Sequence, residues 1–534
     1  MKKYVTFLVI FFNLLSLSIT AQTIEQWSRF EASFSYEHSG NPFTEVALSG
    51  TFIHKDTTLT VKGFYDGNHT YKLRFMPILP GDWYFKTSSN IKALRGKSGS
   101  FKCTVATTIT DGPVEVADTF HFKYKNGGYY FPFGTTLYAW SHMTDSLRKI
   151  TLKNLKKAGF NKVRMCVLPK RYGTAGILPE HYPFKLKNTH TDKAGKTVYN
   201  WDFSHFNPVF FQQLEERILE LDALGIQADL ILFHPYDEGI WGFDQMPAAV
   251  DKQYLEYTLA RIASFKNVWW SLANEWAYLD TKSIQDWDAL IKTTKENDPY
   301  NHLISIHGPT AVYYDYTMPE LTHVSIQDEA PVLNSVGTAT LRRVYKKPIV
   351  LDEVGYEGNL PSRWGQLSGE ALTHRIWNGV IAGGYVTHGE VIDSGDPDNI
   401  VWANGGELKG ESWKAVKFLK ELITDDLGPL HMADISRDIE TATNGKGDYL
   451  IYFGEQERGE WAFSLPKKNG ELDKLKEGIE YEATIIDASN GTQTLVSERF
   501  VTASAGRYRM KDVADKKITL PKKPYLAIRL RPIK

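Results

Sequence analysis

The chain has 534 residues, which at roughly 150 residues per domain implies about three domains. Its 62 Lys and Arg against 63 Asp and Glu give a formal net charge of −1, a balance that leaves no excess to hold a phosphate backbone and makes nucleic acid an unexpected partner. Charged residues at 23% and hydrophobic ones at 42% exclude a disordered, collagenous or polytopic membrane chain, while 14 Trp, 28 Tyr and 28 Phe supply many flat apolar faces, a surface suited to sugar rings.

Residues 1–21 read as an export signal: Lys2 and Lys3 precede an apolar stretch from Val5 to Leu17, and Ile19-Thr20-Ala21 offers a cleavage site before Gln22. The run is shorter than the ~20 apolar residues a membrane span needs. No later segment supplies such a run, and no Cys follows this one for lipid attachment. The expected location is therefore exported, periplasmic or secreted, with no membrane span after signal removal. Cys103 and Cys166 are the only cysteines and fall in different expected domains, so stability must come from core burial and not from a disulfide.

Residues 22–115 show short alternating segments such as Glu45–Leu48 and Leu59–Val61, with turns at Asp66-Gly67-Asn68 and Pro80-Gly81-Asp82. Tyr71–Pro77 and Gly81–Phe85 alternate as a sheet with one buried face requires, and the segment reads as an Ig-like β-sandwich followed by a linker from Thr107 to Pro113.

Over residues 116–424 the period changes. Leu147, Ile150 and Leu155 fall on one side of a helix ended by Gly159, Phe211, Leu214, Ile218 and Leu221 repeat the pattern before Gly225, and Trp287, Leu290 and Ile291 mark another helix. Between and beyond them lie eight candidate strands: Phe131–Thr135, Lys162–Val167, Ala228–Phe233, Val268–Ala273, Leu303–Ile306, Val324–Ile326, Ile349–Leu351 and Gly384–Thr387. Eight βα units predict an α/β fold, a TIM (β/α)8 barrel whose longest loops run from Leu168 to Asp202 and from Gly389 to Glu411. Residues 425–534 return to short strands, at Tyr449–Phe453, Trp461–Leu465, Tyr481–Ile486 and Tyr525–Leu530, with a turn at Asn490-Gly491, and predict a C-terminal all-β domain.

Seven of the barrel strands end in polar residues that should converge at the mouth: Arg164, His234, Asn274 with Glu275, His307, Gln327, Glu353 and His388. One such residue would read as a satisfied core histidine or a structural ion pair, whereas seven strands ending alike point to a site. Glu275 closes strand four and Glu353 closes strand seven, on facing sides of a barrel. Glycosidic cleavage needs such a pair, one carboxyl protonated to donate to the leaving oxygen and one ionised to attack or stabilise the oxocarbenium-like centre. Trp140, Trp276, Tyr356 and Trp402 fall on candidate mouth loops and are candidates to stack on sugar faces, Trp276 and Trp402 foremost, while Trp269 and Trp270 read as core.

Asn274-Glu275 after an apolar strand, and Glu353 after Ile349-Val350-Leu351-Asp352, resemble the acid/base and nucleophile signatures of the clan A retaining glycoside hydrolases. The barrel region is similar to family 5-like, cellulase-like and apiosidase-like bacterial members of that clan, which often carry comparable β-domains on both flanks. The resemblance implies that Glu275 is the acid/base, Glu353 the nucleophile and Asn274 a donor to the sugar 2-hydroxyl. It further implies that Arg164 supports the nucleophile and that His234 and His307 line the subsite of the bond to be cleaved. Strand six commonly offers the nucleophile a Tyr in this clan, whereas this chain places Gln327 there, followed by Asp328-Glu329.

The expected activity is retaining hydrolysis of a plant or microbial polysaccharide or oligosaccharide, with a glycan-binding protein lacking catalysis and an inverting enzyme as the alternatives. No cofactor or metal is expected. There is no His-Glu-x-x-His, no paired Cys, no Gly-x-Ser-x-Gly elbow and no phosphate loop, and Asp393, Asp396 and Asp398 lack the Gly and terminal Glu of a calcium loop. Sugar, linkage, endo or exo action and oligomeric state depend on loop shape, which the sequence leaves open.

Overall fold

A computed structural model describes residues 22–108, 112–171, 178–237, 239–330, 334–393, 395, 402–434, 438–467 and 474–533. The expected export signal, and Glu238, Asp396 and Asp398, lie outside the described residues.

The N-terminal sandwich faces a five-stranded sheet, in the order Gln22–Glu25, Ser98–Thr104, Gly81–Ser89, Leu48–His54 and Thr57–Lys62, against a three-stranded one, in the order Phe30–Ser35, Thr70–Phe75 and Phe64–Tyr65. Aromatic rings fill the space between them: Phe30 stacks on Phe101 at 4.4 Å and Phe52 on Phe75 at 4.0 Å, and Trp83 is fully buried. The expected turn at 66–68 forms, with Gly67 at φ 87° and Asn68 at φ 46°, the left-handed backbone that Gly and Asn tolerate best.

Eight parallel strands then make the barrel: β1 (Gly134–Thr136), β2 (Lys162–Cys166), β3 (Gln227–Phe233), β4 (Val268–Ala273), β5 (Ile304–Ser305 and His307–Gly308), β6 (Val324–Gln327), β7 (Ile349–Glu353) and β8 (Tyr385–Val386). β5 is broken in two, its first half pairing with β4 and its second with β6, and a bridge from Thr135 to His388 closes the ring. A barrel with no free edge satisfies its backbone internally, and its strands are buried throughout, apolar side chains alternating with a few buried polar and charged ones such as Lys162, Arg164 and Asp229.

Among the described residues seven α-helices surround it: α1 (Asp145–Ala158), α2 (Pro208–Ala223), α3 (Ala248–Ile262), α4 (Ile284–Asn297), α5 (Ser335–Tyr345), α6 (Gly369–Ile381) and α7 (Ser412–Glu421). Their starts are written in the sequence. Thr144 caps α1, Asn207 with Pro208 opens α2, and Ser283 with Asp286 forms a capping box on α4. Gly159, at φ 74°, ends α1. Ile150, expected on the buried face of α1, is exposed, because Thr151, Asn154 and Leu155 carry that face instead.

Among the described residues the fifth unit has no helix. Residues 309–323 run as turns, pinned by Lys347, whose Nζ donates to the carbonyls of Tyr316, Met318 and Leu321 at 2.7, 2.7 and 2.6 Å. The base of the barrel is plugged by a small antiparallel sheet of Val114–Ala117, His121–Tyr124 and Tyr129–Tyr130, with Phe122 wedged 5.1 Å from the ring of Trp269 and 5.4 Å from that of Tyr385.

The sandwich docks on α2 and α3 through a buried ion network. Arg74 donates to Glu215 at 2.9 Å, to the Arg261 carbonyl at 2.9 Å and to Glu31 at 2.8 Å, while Arg261 reaches Glu215 and Asp66 at 2.7 Å each. The C-terminal domain is an eight-stranded antiparallel sheet in which Tyr449–Tyr452 and Leu526–Pro532 are central. It packs on α6 with Tyr452 stacked on Trp377 at 5.0 Å and hydrogen-bonded to His374 at 2.9 Å. The single strand expected at Trp461–Leu465 is two, Glu460–Ala462 and Ser464–Pro466, which pair with different neighbours.

Candidate active site

The strand ends bring Arg164, Asn274, Glu275, His307, Gln327 and Glu353 into one hydrogen-bonded constellation at the barrel mouth. Asn274 is its hub. Its Oδ1 accepts from Arg164 Nη2 at 2.5 Å, and its Nδ2 donates to Glu353 Oε1 at 3.1 Å and to the Tyr236 hydroxyl at 2.6 Å. Tyr236 in turn donates to Glu275 Oε2. Glu275 has φ 48°, a left-handed conformation that costs a non-glycine residue energy and is found where surrounding structure holds a functional side chain in place.

Glu353 collects donors. Tyr138 donates to Oε1 at 2.5 Å, the Tyr356 hydroxyl lies 3.1 Å from that of Tyr138, and His307 Nε2 lies 3.5 Å from Oε1 with its Nδ1 paired to Ser325 Oγ at 3.1 Å. The departure noted at strand six is thus met from elsewhere, because a phenol from the loop after β1, itself backed by the Tyr356 hydroxyl from the loop after β7, reaches the carboxylate. Gln327 is buried at the end of β6, its Oε1 without a partner, and acts on Glu275 and Glu329 as a nearby polar group that favours their ionised forms.

Below this layer lies a second one. Lys162 Nζ stands 2.7 Å from both Asp229 and Asp352, and Arg164 Nη1 stands 3.4 Å from Asp229 and 3.7 Å from Asp352. All four side chains are buried, so two cations and two carboxylates neutralise one another within the barrel. Arg164 therefore pairs with Asp229 and Asp352, not directly with Glu353, which it influences by charge and through Asn274.

These surroundings separate the carboxyls. Burial opposes ionisation of Glu353, but the hydrogen bond and charge of His307, the Tyr138 hydroxyl and the charge of Arg164 bring it down to about 2. Burial and the neighbouring Glu353 charge push Glu275 up to about 7, against the lowering effect of its Tyr236 hydrogen bond. Glu329 is likewise pushed up to about 7, by burial and then by Glu353. Asp352, despite burial, is held well below the usual carboxylate range by Lys162 and Arg164.

Other expected site residues fall elsewhere. His234 has both nitrogens engaged, Nε2 with the Leu168 carbonyl at 3.0 Å and Nδ1 accepting from Tyr236 N at 3.1 Å, so it positions the Tyr236 loop and has no free nitrogen for a ligand. Burial lowers it to about 4, and it is neutral. Trp140 is fully buried, packed beside Gly405 under the loop after β8, and offers no face to a sugar. Trp402 is buried too, its indole N–H donating to Thr135 Oγ1 at 2.8 Å. His388 is buried beside Phe160 with Nδ1 on Thr135 Oγ1 at 3.0 Å, outside the mouth network. Tyr356 enters the site through its hydroxyl and not as a stacking face. Its ring lies so close to the chain that a Cβ on Gly389 would fall 2.1 Å from it.

Trp276 remains half-buried, edge-on to Tyr314 at 5.2 Å, and with Tyr313 and Tyr314 it lines a cavity of about 440 Å3. The residues that strand-end reasoning missed are Tyr138, Tyr236, Glu329, Asp229, Lys162 and Asp352. The two phenols each lie three residues past the end of an expected strand, Phe131–Thr135 and Ala228–Phe233, which is the available signal.

Comparison with known proteins follows the same three-part division. The family model described as "Apiosidase-like, catalytic domain" matches residues 117–391, and models of two domains of unknown function, DUF5060 and DUF5605, match residues 23–90 and 438–531. The crystal structure of a "putative glycoside hydrolase" from Bacteroides vulgatus ATCC 8482 is 50% identical, covers 96% of this chain and 100% of its own, and superposes with a TM-score of 0.93. A glycoside hydrolase family 5 structure from the same strain is 15% identical, covers 80% of this chain and 95% of its own with a TM-score of 0.54, and shares the fold. None of the curated proteins compared matches the chain.

Proposed function

Since the chain belongs to the apiosidase-like catalytic-domain family, we propose that it is an exported glycoside hydrolase that cleaves plant or microbial poly- or oligosaccharides by double displacement. The observation that carries the reading is a pair of carboxyls at one barrel mouth, joined through Asn274 and Tyr236, of which one is held ionised and the other protonated near neutral pH.

In the first step a Glu353 oxygen forms a bond to the anomeric carbon as the glycosidic bond breaks, and the Glu275 proton passes to the departing oxygen. In the second, Glu275, now a carboxylate, takes a proton from water, whose oxygen bonds to the anomeric carbon and displaces Glu353. The phenols of Tyr138 and Tyr356 and the imidazole of His307 stabilise the charge that returns to Glu353 as the ester breaks. Glu275 regains its proton in the same step, because the charge restored on Glu353 raises its proton affinity. Trp276, next to Glu275, is placed to stack on the leaving sugar.

The test is product release from plant, algal and bacterial polysaccharides and from aryl glycosides including an apioside, with the first-formed anomer read by NMR. Retention of configuration, with turnover lost in both Glu275→Ala and Glu353→Gln, is the expected result. Inversion would refute double displacement, and glycan binding without turnover in the wild type would refute hydrolysis.

A further inference from the structure

Beyond the mouth, β7 and β8 each continue into a second short strand, Glu357–Gly358 and Glu390–Val391, which pair in parallel with Glu357 directly opposite Glu390. Like charges facing each other across neighbouring strands repel. Here both carboxylates are also buried, at 7% and 1% exposure, so the repulsion is weakly screened. Among the described residues no lysine or arginine forms an ion pair with either, and Lys409 acts on Glu390 only as a weaker, longer-range charge.

His388 precedes Glu390 by two residues. In an extended chain that spacing puts both side chains on one face. A ring nitrogen of His388 and one oxygen each from Glu357 and Glu390 lie within 4.8 Å of one another. His388 is fully buried, its Nδ1 occupied by Thr135 and its Nε2 without a partner.

The carboxylates are already oriented. Glu390 accepts from the backbone N–H groups of Lys409 and Gly410 at 2.8 and 3.1 Å, and Glu357 from those of Glu411 and Ser412 at 2.8 and 3.0 Å. The Ser412 hydroxyl also donates to Glu357 Oε2 at 2.5 Å, so a lone pair is left on Glu357 Oε1 and on each oxygen of Glu390. The chain over them is close-fitting, since a Cβ on Gly410 would lie 2.4 Å from Glu357 Oε2 and 2.7 Å from Glu390 Oε2.

We infer that Glu357, His388 and Glu390 form a structural site for one divalent transition-metal ion, which neutralises the facing carboxylates and ties the extensions of β7 and β8 to the segment entering α7. One imidazole and two carboxylates suit zinc or a neighbouring first-row ion, whereas calcium and magnesium favour oxygen-only shells. None of the three residues hydrogen-bonds the Glu275–Glu353 network, so the site is independent of the catalytic proposal. Motif reading missed it because the ligands come from two strands at a spacing that no linear pattern encodes.

The experiment treats the full chain with a chelator, dialyses it, and titrates zinc chloride by calorimetry with thermal melting in parallel. Close to one equivalent should bind, with a rise in Tm of about 5 °C at saturating zinc. Glu390→Gln and His388→Gln should each abolish that binding and that rise. Should either variant misfold, cobalt(II) added to the wild type provides the second measurement, with visible absorption that zinc displaces as the expected result. Failure of zinc, manganese and cobalt alike to bind the wild type, or undiminished zinc binding by both variants, overturns the site and leaves a shared proton between the carboxylates as the alternative.

Discussion

Asp352 and Glu353 are neighbours on one strand, both buried, yet they belong to different electrostatic worlds. In the inner layer Asp352 and Asp229 face Lys162 and Arg164, so each charge has a counter-charge. In the mouth layer, among the described residues, no lysine or arginine forms an ion pair with Glu275 or Glu353: His307 stands 3.5 Å from Glu353, and Arg164, Arg363 and Arg375 act on the mouth carboxyls only as longer-range charges. Burial is common to both layers and cannot explain the contrast. The count of counter-charges does, and it leaves the mouth with a proton to give.

The largest effect that tests this contrast should come from Glu353→Gln, which removes the one mouth carboxyl held ionised. Turnover on activated aryl glycosides should fall by about 10^4-fold or more, and a smaller loss would break the assignment. Glu275→Ala should cost about 10^2- to 10^4-fold. The loss should be steepest for poor leaving groups, with azide restoring turnover of good ones as a glycosyl azide of retained configuration.

Disturbing the inner layer should act on stability before chemistry. Asp352→Asn strands Lys162 and Arg164 with one carboxylate between them and should destabilise the protein by about 3–5 kcal/mol, read by denaturant unfolding. If stability were unchanged, the inner layer would not be the balanced lattice described here.

The smallest effect is the most specific. The proposed double displacement requires protonated Glu275 and ionised Glu353, so kcat/KM should fall on the alkaline side near pH 7 and on the acid side near pH 2, as apparent values of the pair. The Tyr236 hydrogen bond stabilises ionised Glu275, so Tyr236→Phe should move the alkaline limb upward. A downward move would contradict the proposed role of the phenol.

Much of this was legible in the sequence, for reasons that also set its limits. Apolar runs ending in polar residues located the barrel strands, and the strand-end rule brought Asn274, Glu275 and Glu353 to one mouth. The same rule placed His388 there, although β8 is only two residues long and His388 bonds sideways to Thr135, closing the ring. Trp140 and Trp402 were read as platforms because they lie on loops, but those loops fold back over the barrel wall and bury their indoles. Tyr138 and Tyr236 lie past their strands, where loop conformation decides which way a side chain turns. The helix expected after β5 is replaced by turns that Lys347 holds from a distant segment, a long-range contact that no local periodicity reports.

The ion network beneath the sandwich imposes an order on the molecule's birth. Arg74 must wait for Glu215, 141 residues further along the chain, before its guanidinium is balanced. At about 5–20 residues per second that interval lasts roughly 7–28 s of synthesis. Throughout it Arg74 has Glu31 for a partner but neither Glu215 nor the Arg261 carbonyl, so the newborn sandwich keeps a half-satisfied guanidinium on the very face that will meet the barrel, a charge that keeps this surface wet and discourages premature association until α2 and α3 arrive.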